Sequence, residues 1–266
     1  MLLASFFGVV MGLVLGLTGA GGGILAVPAL VLGLGLTMTQ AAPVALFAVG
    51  SAAAVGAIDG LRHGLVRYRA ALLIALLGAV FSPLGIFLAH QLPEKILMIL
   101  FSLLMVLVAV RMLRRERAQP GPSDHGAASW GQKNCMLDRQ TGRLAWTPRC
   151  TATLATLGAV TGVVSGLLGV GGGFLIVPAF KQLTDVQMRG IVATSLMVIS
   201  LISLIGVVGA FHAGVRIDQV GAVFIVASIV GMLLGRRLAS RVPARVLQVG
   251  FAGVCLGVAV YMWVRA

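Results

Sequence analysis

The chain has 266 residues, of which 59% are hydrophobic and 10% charged, with a mean hydropathy of +1.06. A soluble domain carries about a quarter charged residues, so the composition excludes a water-soluble enzyme or binding module and indicates an integral membrane protein. The net charge of +13 would suggest nucleic acid for a soluble chain, but here the basic residues fall between apolar runs, where they orient a chain in the lipid bilayer, and no nucleic-acid partner is expected.

The apolar runs are continuous rather than alternating, which predicts an all-α, polytopic helical protein and not a barrel. In chain order they cover 2–17, 24–36, 40–60, 70–90 and 95–112, then 151–168, 174–183, 190–212, 219–239 and 244–264. Runs near 20 residues can span the hydrocarbon core; 24–36 and 174–183 are too short. The first run resembles a signal peptide, but no basic residue precedes it, and cleavage near Ala20 would cut the motif described next, so it is expected to be retained.

Residues 16–30 read GLTGAGGGILAVPAL and residues 166–180 read GLLGVGGGFLIVPAF, identical at ten of fifteen positions with an offset of 150. Gly19, Gly21, Gly22 and Gly23, and again Gly169, Gly171, Gly172 and Gly173, are expected to stop a helix, because glycine loses the most backbone freedom in one. Pro28 and Pro178 are expected near the first turn of the helix that restarts, where a missing N–H matters little. The correspondence continues: His63 and Arg67 match His212 and Arg216 at an offset of 149, and Gly85, Leu88 and Ala89 match Gly235, Leu238 and Ala239 at 150. The chain therefore reads as a duplication, with a first membrane repeat over 1–112, a basic linker over 113–150 and a second repeat over 151–266. Paired glycine-interrupted apolar segments point to a transporter binding site; tight helix packing alone is the alternative reading.

Loop charge bears on topology. If each glycine segment is a re-entrant hairpin followed by three crossings, seventeen Lys/Arg share one side and three the other. If the first helix of each repeat is merely broken and the chain crosses eight times, the split is thirteen to seven. The first arrangement obeys the positive-inside rule better, and an odd number of crossings inverts the second repeat relative to the first. The expectation is two inverted repeats in the plasma (inner) membrane, with the linker cytoplasmic.

At each break, free N–H groups at a helix start carry about half a positive charge, and consecutive glycine amides form a concave nest for an anion. The eight glycines are therefore expected to bind substrate. Thr18 and Ser165 are either helix caps or ligand contacts, and Thr194 and Ser195 are expected to face the pocket. Ser200 and Ser203 are expected to bond back to their own helix. His63, Arg67, His212 and Arg216 read as interfacial anchors. Cys135, Cys150 and Cys255 show no metal-ligand spacing, so neither a metal, nor a cofactor, nor a required disulfide is expected. Enzyme readings fail: the residues after the glycines, Ile24 and Phe174, supply neither the Lys-Ser/Thr of a P-loop nor the last glycine of a dinucleotide fingerprint.

The twin G-x-G-G-G-x-L-x-x-P elements at 19–28 and 169–178, followed by Ala193-Thr194-Ser195-Leu196, resemble the TauE/SafE family of sulfite exporter and toluene-sulfonate uptake permeases. The resemblance covers nearly the whole chain outside the linker. It implies export or uptake of a small sulfur-containing anion such as sulfite or an organosulfonate. The first repeat departs from it, with Ala45-Leu46-Phe47 where the second has Thr194-Ser195, which implies an asymmetric site. The functional expectation is a secondary transporter of a small anion; a passive anion channel and a non-transporting scaffold remain the alternatives. Direction, coupling ion and oligomeric state are open.

Overall fold

The computed structural model describes residues 2–19, 22–117, 135, 146–184, 188–212, 218–239 and 244–265. Gly21 and most of the linker lie outside the described residues. Among the described residues there are ten helices: α1 (Leu2–Thr18), α2 (Gly22–Leu34), α3 (Met38–Arg62), α4 (Tyr68–Gln91), α5 (Glu94–Arg117), α6 (Pro148–Leu168), α7 (Gly173–Leu183), α8 (Met188–His212), α9 (Gln219–Ala239) and α10 (Ala244–Arg265). Five of them, α3, α4, α6, α8 and α9, contain apolar stretches of 20 to 24 residues, long enough to cross a bilayer.

The breaks fall where the glycines are, but the restarts come early. Gly22, Gly23 and Gly173 are already helical, so these glycines start helices rather than stop them. Pro28 and Pro178 consequently lie inside α2 and α7, past the first turn. The expectation of first-turn prolines is corrected by this shift.

The two halves exchange partners in matched pairs: α1 packs on α9 and α6 on α4, α3 on α8, and α5 on α10. The α1–α9 contact is built on a glycine ladder. Gly8, Gly12 and Gly16 recur every fourth residue, on one face of α1, against Phe224, Ser228 and Met232. Gly158, Gly162 and Gly166 repeat the ladder on α6 against Ile74, Gly78 and Ser82. In both pairs the contacts advance together, so the partners run parallel. By contrast Gly50 meets Ser203 and Gly60 meets Ala193, so α3 and α8 run antiparallel. α1 and α2 fold back on each other, with Gly22 against Leu15 and Gly33 against Phe7. The α5–α10 pair uses larger residues: Leu97, Phe101, Met105 and Ala109 face Phe251, Cys255, Ala259 and Met262 across a buried seam.

Small residues on such ladders let backbones approach where no solvent-exclusion force drives helices together. A Cβ at Gly12 would overlap the Ser228 carbonyl, and one at Gly162 the Gly78 carbonyl. Backbone atoms cannot turn away, so Gly12→Val and Gly162→Val are each expected to cost about 3 kcal/mol, the upper end of the usual overpacking range. Gly253→Ala on α10, where nothing lies within 4 Å, is the neutral control. Melting in detergent followed by size-exclusion fluorescence measures both.

Cys135 and Cys150 are paired as a disulfide, a pairing the sequence did not predict. Pairing could not be read from spacing because it depends on a third element. The Cys135 N–H donates to the Leu183 carbonyl (3.1 Å), and an isolated parallel bridge joins Cys135 to Thr184. The linker residue is thereby pinned to the end of α7 and tied to the start of α6.

Candidate functional site

Gly23 of the first hairpin and Gly171 of the second lie at the centre of the α3–α8 pair, against Val49. On the first side α1 closes at Thr18, and Gly19 takes a left-handed conformation (φ 76°) with its N–H on the Leu15 carbonyl at 2.8 Å. On the second side α6 closes at Gly169 (φ 69°), with its N–H on the Ser165 carbonyl at 2.8 Å. Gly171 and Gly172 are also left-handed, at φ 72° and 68°. That region is costly for any residue with a Cβ, so the glycines here are a backbone requirement.

The breaks meet through Val49 of α3. A Cβ at Gly23 would stand 2.9 Å from the Val170 carbonyl oxygen and 3.2 Å from the Val49 side chain, and one at Gly171 would stand 3.4 Å from that same side chain. The start of α2 and the start of α7 thus lie next to one another, deep in the protein, with Gly22, Gly23, Gly171, Gly172 and Gly173 all buried. Gly172, the N-cap residue of α7, has no side chain with which to cap it.

Three hydroxyls surround the second break. Thr161 and Ser165 sit one turn apart on α6, and Ser203 lies on α8; they are 0%, 1% and 0% exposed. None of the three hydroxyl oxygens has a hydrogen-bond partner. Thr161 packs directly on Gly172, and the Ser203 Oγ lies 3.2 Å from where a Cβ at Gly171 would stand. Buried polar groups are normally paired, and a buried hydroxyl left without a partner costs about 1–3 kcal/mol. Three around one helix start are a concentration of unused hydrogen-bonding capacity. The positions 150 residues before Thr161 and Ser165 are Met11 and Leu15, both buried and apolar.

The other expected contacts are placed differently. Thr18 Oγ1 donates to the Val14 carbonyl at 2.8 Å, a bond back to its own helix. Thr194 Oγ1 donates to the Gly190 carbonyl (2.7 Å) and accepts the Arg67 N–H (3.0 Å). Ser195 Oγ donates to the Val192 carbonyl at 2.8 Å and lies 3.5 Å from the Gly19 carbonyl. Thr194 and Ser195 therefore brace the first break and the α3–α4 loop with hydroxyls already engaged. Ser203 reverses its expectation: it does not bond back to its helix. Thr161 was not singled out by its sequence context at all. The signal that could have found it is the mismatch with Met11 at the equivalent position of the duplication.

A cavity of about 680 Å³ approaches this site from the end of the bundle where α3 begins and α4, α6 and α8 end. Ala42, Leu46, Ser82, Gly166, Leu168 and Gly206 are among its walls. Gly166 adjoins Ser165, and Ala42 touches Gly169.

Comparison with known proteins gives a consistent result. A family model described as sulfite exporter TauE/SafE matches residues 4–262. A probable membrane transporter protein of Xylella fastidiosa (strain 9a5c) is 31% identical over 258 residues, covering 96% of this chain and 92% of that one. The probable membrane transporter protein YunE of Bacillus subtilis (strain 168) is 25% identical over 245 residues, covering 88% and 86%. No solved structure matches the chain.

Proposed function

The chain belongs to the sulfite exporter TauE/SafE family, and from that premise we propose that it is a secondary transporter of a small sulfur-containing monoanion, held between the starts of α2 and α7. It is a multi-pass membrane transporter and not an enzyme. The observation that carries the anion reading is the set of three buried, unpartnered hydroxyls, Thr161, Ser165 and Ser203, around the uncapped start of α7. An anion accepts hydrogen bonds from hydroxyls and glycine amides alike, and helix starts favour negative charge without any Lys or Arg. Two helix ends of about half a charge each balance one negative charge better than two, which favours bisulfite or an organosulfonate over a dianion. The burial of Gly22, Gly23, Gly171 and Gly172 supports a carrier over an open channel.

Proteoliposomes loaded with unlabelled sulfite are expected to accumulate external [35S]sulfite transiently above equilibrium. Monotonic equilibration instead would mean a channel.

We further propose two inverted repeats, each a re-entrant hairpin plus three crossings. The antiparallel run of the equivalent helices α3 and α8, and the folding of α2 back along α1, support this reading. Seventeen Lys/Arg on the linker side support a cytoplasmic linker. Disulfides persist in oxidising compartments and are rare in the cytosol; the charge count is the stronger argument, because it sums over the whole chain. Cys135 and Cys150 are accordingly expected to be thiols in growing cells and to pair in air. Both residues are buried, so cells should be lysed directly into denaturant containing maleimide: alkylation of both is expected, and a disulfide recovered intact would put the linker on the opposite side.

A further inference from the structure

One corner of the bundle is closed and its counterpart in the duplication is open. At the closed corner Arg236, near the end of α9, donates to the Gly56 carbonyl of α3 at 2.6 Å and forms an ion pair with Asp59. His63 Nδ1 stands 2.8 Å from the Asp59 carbonyl and 3.5 Å from its carboxylate. Beneath the pair, the buried Met232 reaches Gly56, as does Leu196 of α8. Through the offsets of 149 and 150, Gly56, Asp59, Met232 and Arg236 correspond to Ile205, Val208, Ser82 and Ile86. All four of those residues line the cavity of about 680 Å³. Where the second corner has a short serine and three aliphatic side chains, the first has a glycine, a methionine plug and a charged clasp.

The two corners lie at opposite ends of the bundle. α3 and α9 both finish at the clasp, because Ser228 reaches Ala48 as Arg236 reaches Gly56, so the two helices run parallel. The cavity is instead walled by the start of α3 and the ends of α4, α6 and α8. The glycine breaks lie between them.

We propose that Asp59 and Arg236, with Met232 below them, form a gate that closes one end of the substrate path while the cavity at the equivalent corner leaves the other end open. The Asp59 side chain is 45% exposed and that of Arg236 29%. A partly solvated pair of this kind contributes little net stability, so it can part and re-form during a transport cycle. A gate needs that property and a structural anchor does not.

Two reporter cysteines test this without any substrate, so its outcome is separable from the anion reading. Ser82→Cys lines the cavity, and Ser195→Cys adjoins Leu196, which packs on Gly56 beneath the clasp. Purified protein is treated with a small methanethiosulfonate reagent, and labelling at each site is followed by mass spectrometry. With the clasp intact, Ser82→Cys is expected to react and Ser195→Cys to be protected. Adding Arg236→Ala should raise the Ser195→Cys rate at least tenfold and leave Ser82→Cys unchanged. The proposal is overturned if Ser195→Cys reacts as readily with the clasp present, or stays protected after Arg236 is removed. An unreactive Ser82→Cys would refute the open end. Loss of the difference between the two sites through general unfolding, seen as a collapsed melting transition, would make the pair a structural anchor and also overturn it.

Discussion

A chain carrying Thr161→Val, Ser165→Ala and Ser203→Ala together is expected to be at least as stable as the parent and to have lost transport. Each hydroxyl is buried without a partner, so in the protein alone each is a liability of about 1–3 kcal/mol. Replacing it with an apolar group of similar shape removes that cost. If the three hydroxyls bond an anion, each contributes about 1.5–3 kcal/mol to the bound state. Losing all three would weaken binding at least a thousandfold, taking about 1.4 kcal/mol for each factor of ten. Gain of stability with loss of function is the signature of groups kept for a ligand. Equilibrium binding of [35S]sulfite and a melting curve on the same preparation read both halves. A variant that binds as before, or that melts well below the parent, would assign the hydroxyls a structural role.

Gly172→Ala should be a severely damaging conservative change at the second break. The residue sits at φ 68°, immediately before α7, where an L side chain costs about 1–2 kcal/mol. Its new Cβ would also overlap the Thr161 methyl, pushing the start of α7 away from α6. Transport is expected to fall at least a hundredfold while stability falls by only about 2 kcal/mol, so membrane insertion should survive. A bulkier residue would confound the two effects by wedging α6 and α7 apart. Gly35→Ala is the informative control: it shares the positive φ, at 71°, but has nothing within 4 Å. It should show the strain cost and retain transport. Equal losses of transport in both variants would mean that backbone strain, and not the position of α7, sets activity.

Much of this architecture was legible because apolar length and glycine clusters act locally. The ten apolar runs became the ten helices with ends displaced by a few residues, and the two breaks fell at the two motifs. The offset of 150 also carried the glycine ladders on α1 and α6, although their every-fourth-residue spacing is what reveals them as packing seams. Three things were not legible. The early restarts at Gly22 and Gly173 depend on how closely each hairpin folds on itself, since Gly22 helps form the contact with Leu15. Whether a membrane serine bonds to its own helix is decided by its neighbours: Thr18, Thr194 and Ser195 do so, while Ser203, tucked against Gly50 and Gly171, does not. The Cys135–Cys150 pair depends on where the linker runs beside α7, which no local pattern encodes.

The asymmetry of the two halves follows from the same comparison. The duplication preserved the backbone devices, which are the breaks and the ladders, and let side chains diverge. Hydroxyls line the second hairpin where the first has Met11 and Leu15. A charged clasp fills the corner whose counterpart is an open cavity.

Thermal melting of purified protein against increasing sulfite, at constant ionic strength set with chloride, tests whether an anion binds between the two helix starts with help from Thr161, Ser165 and Ser203. A ligand at a hundred times its dissociation constant stabilises by about 2.7 kcal/mol, so the parent midpoint should rise by several degrees and saturate, while the triple hydroxyl variant should not move. A parent that does not respond to sulfite or to any small sulfonate, or a variant that rises as far as the parent, would contradict that binding.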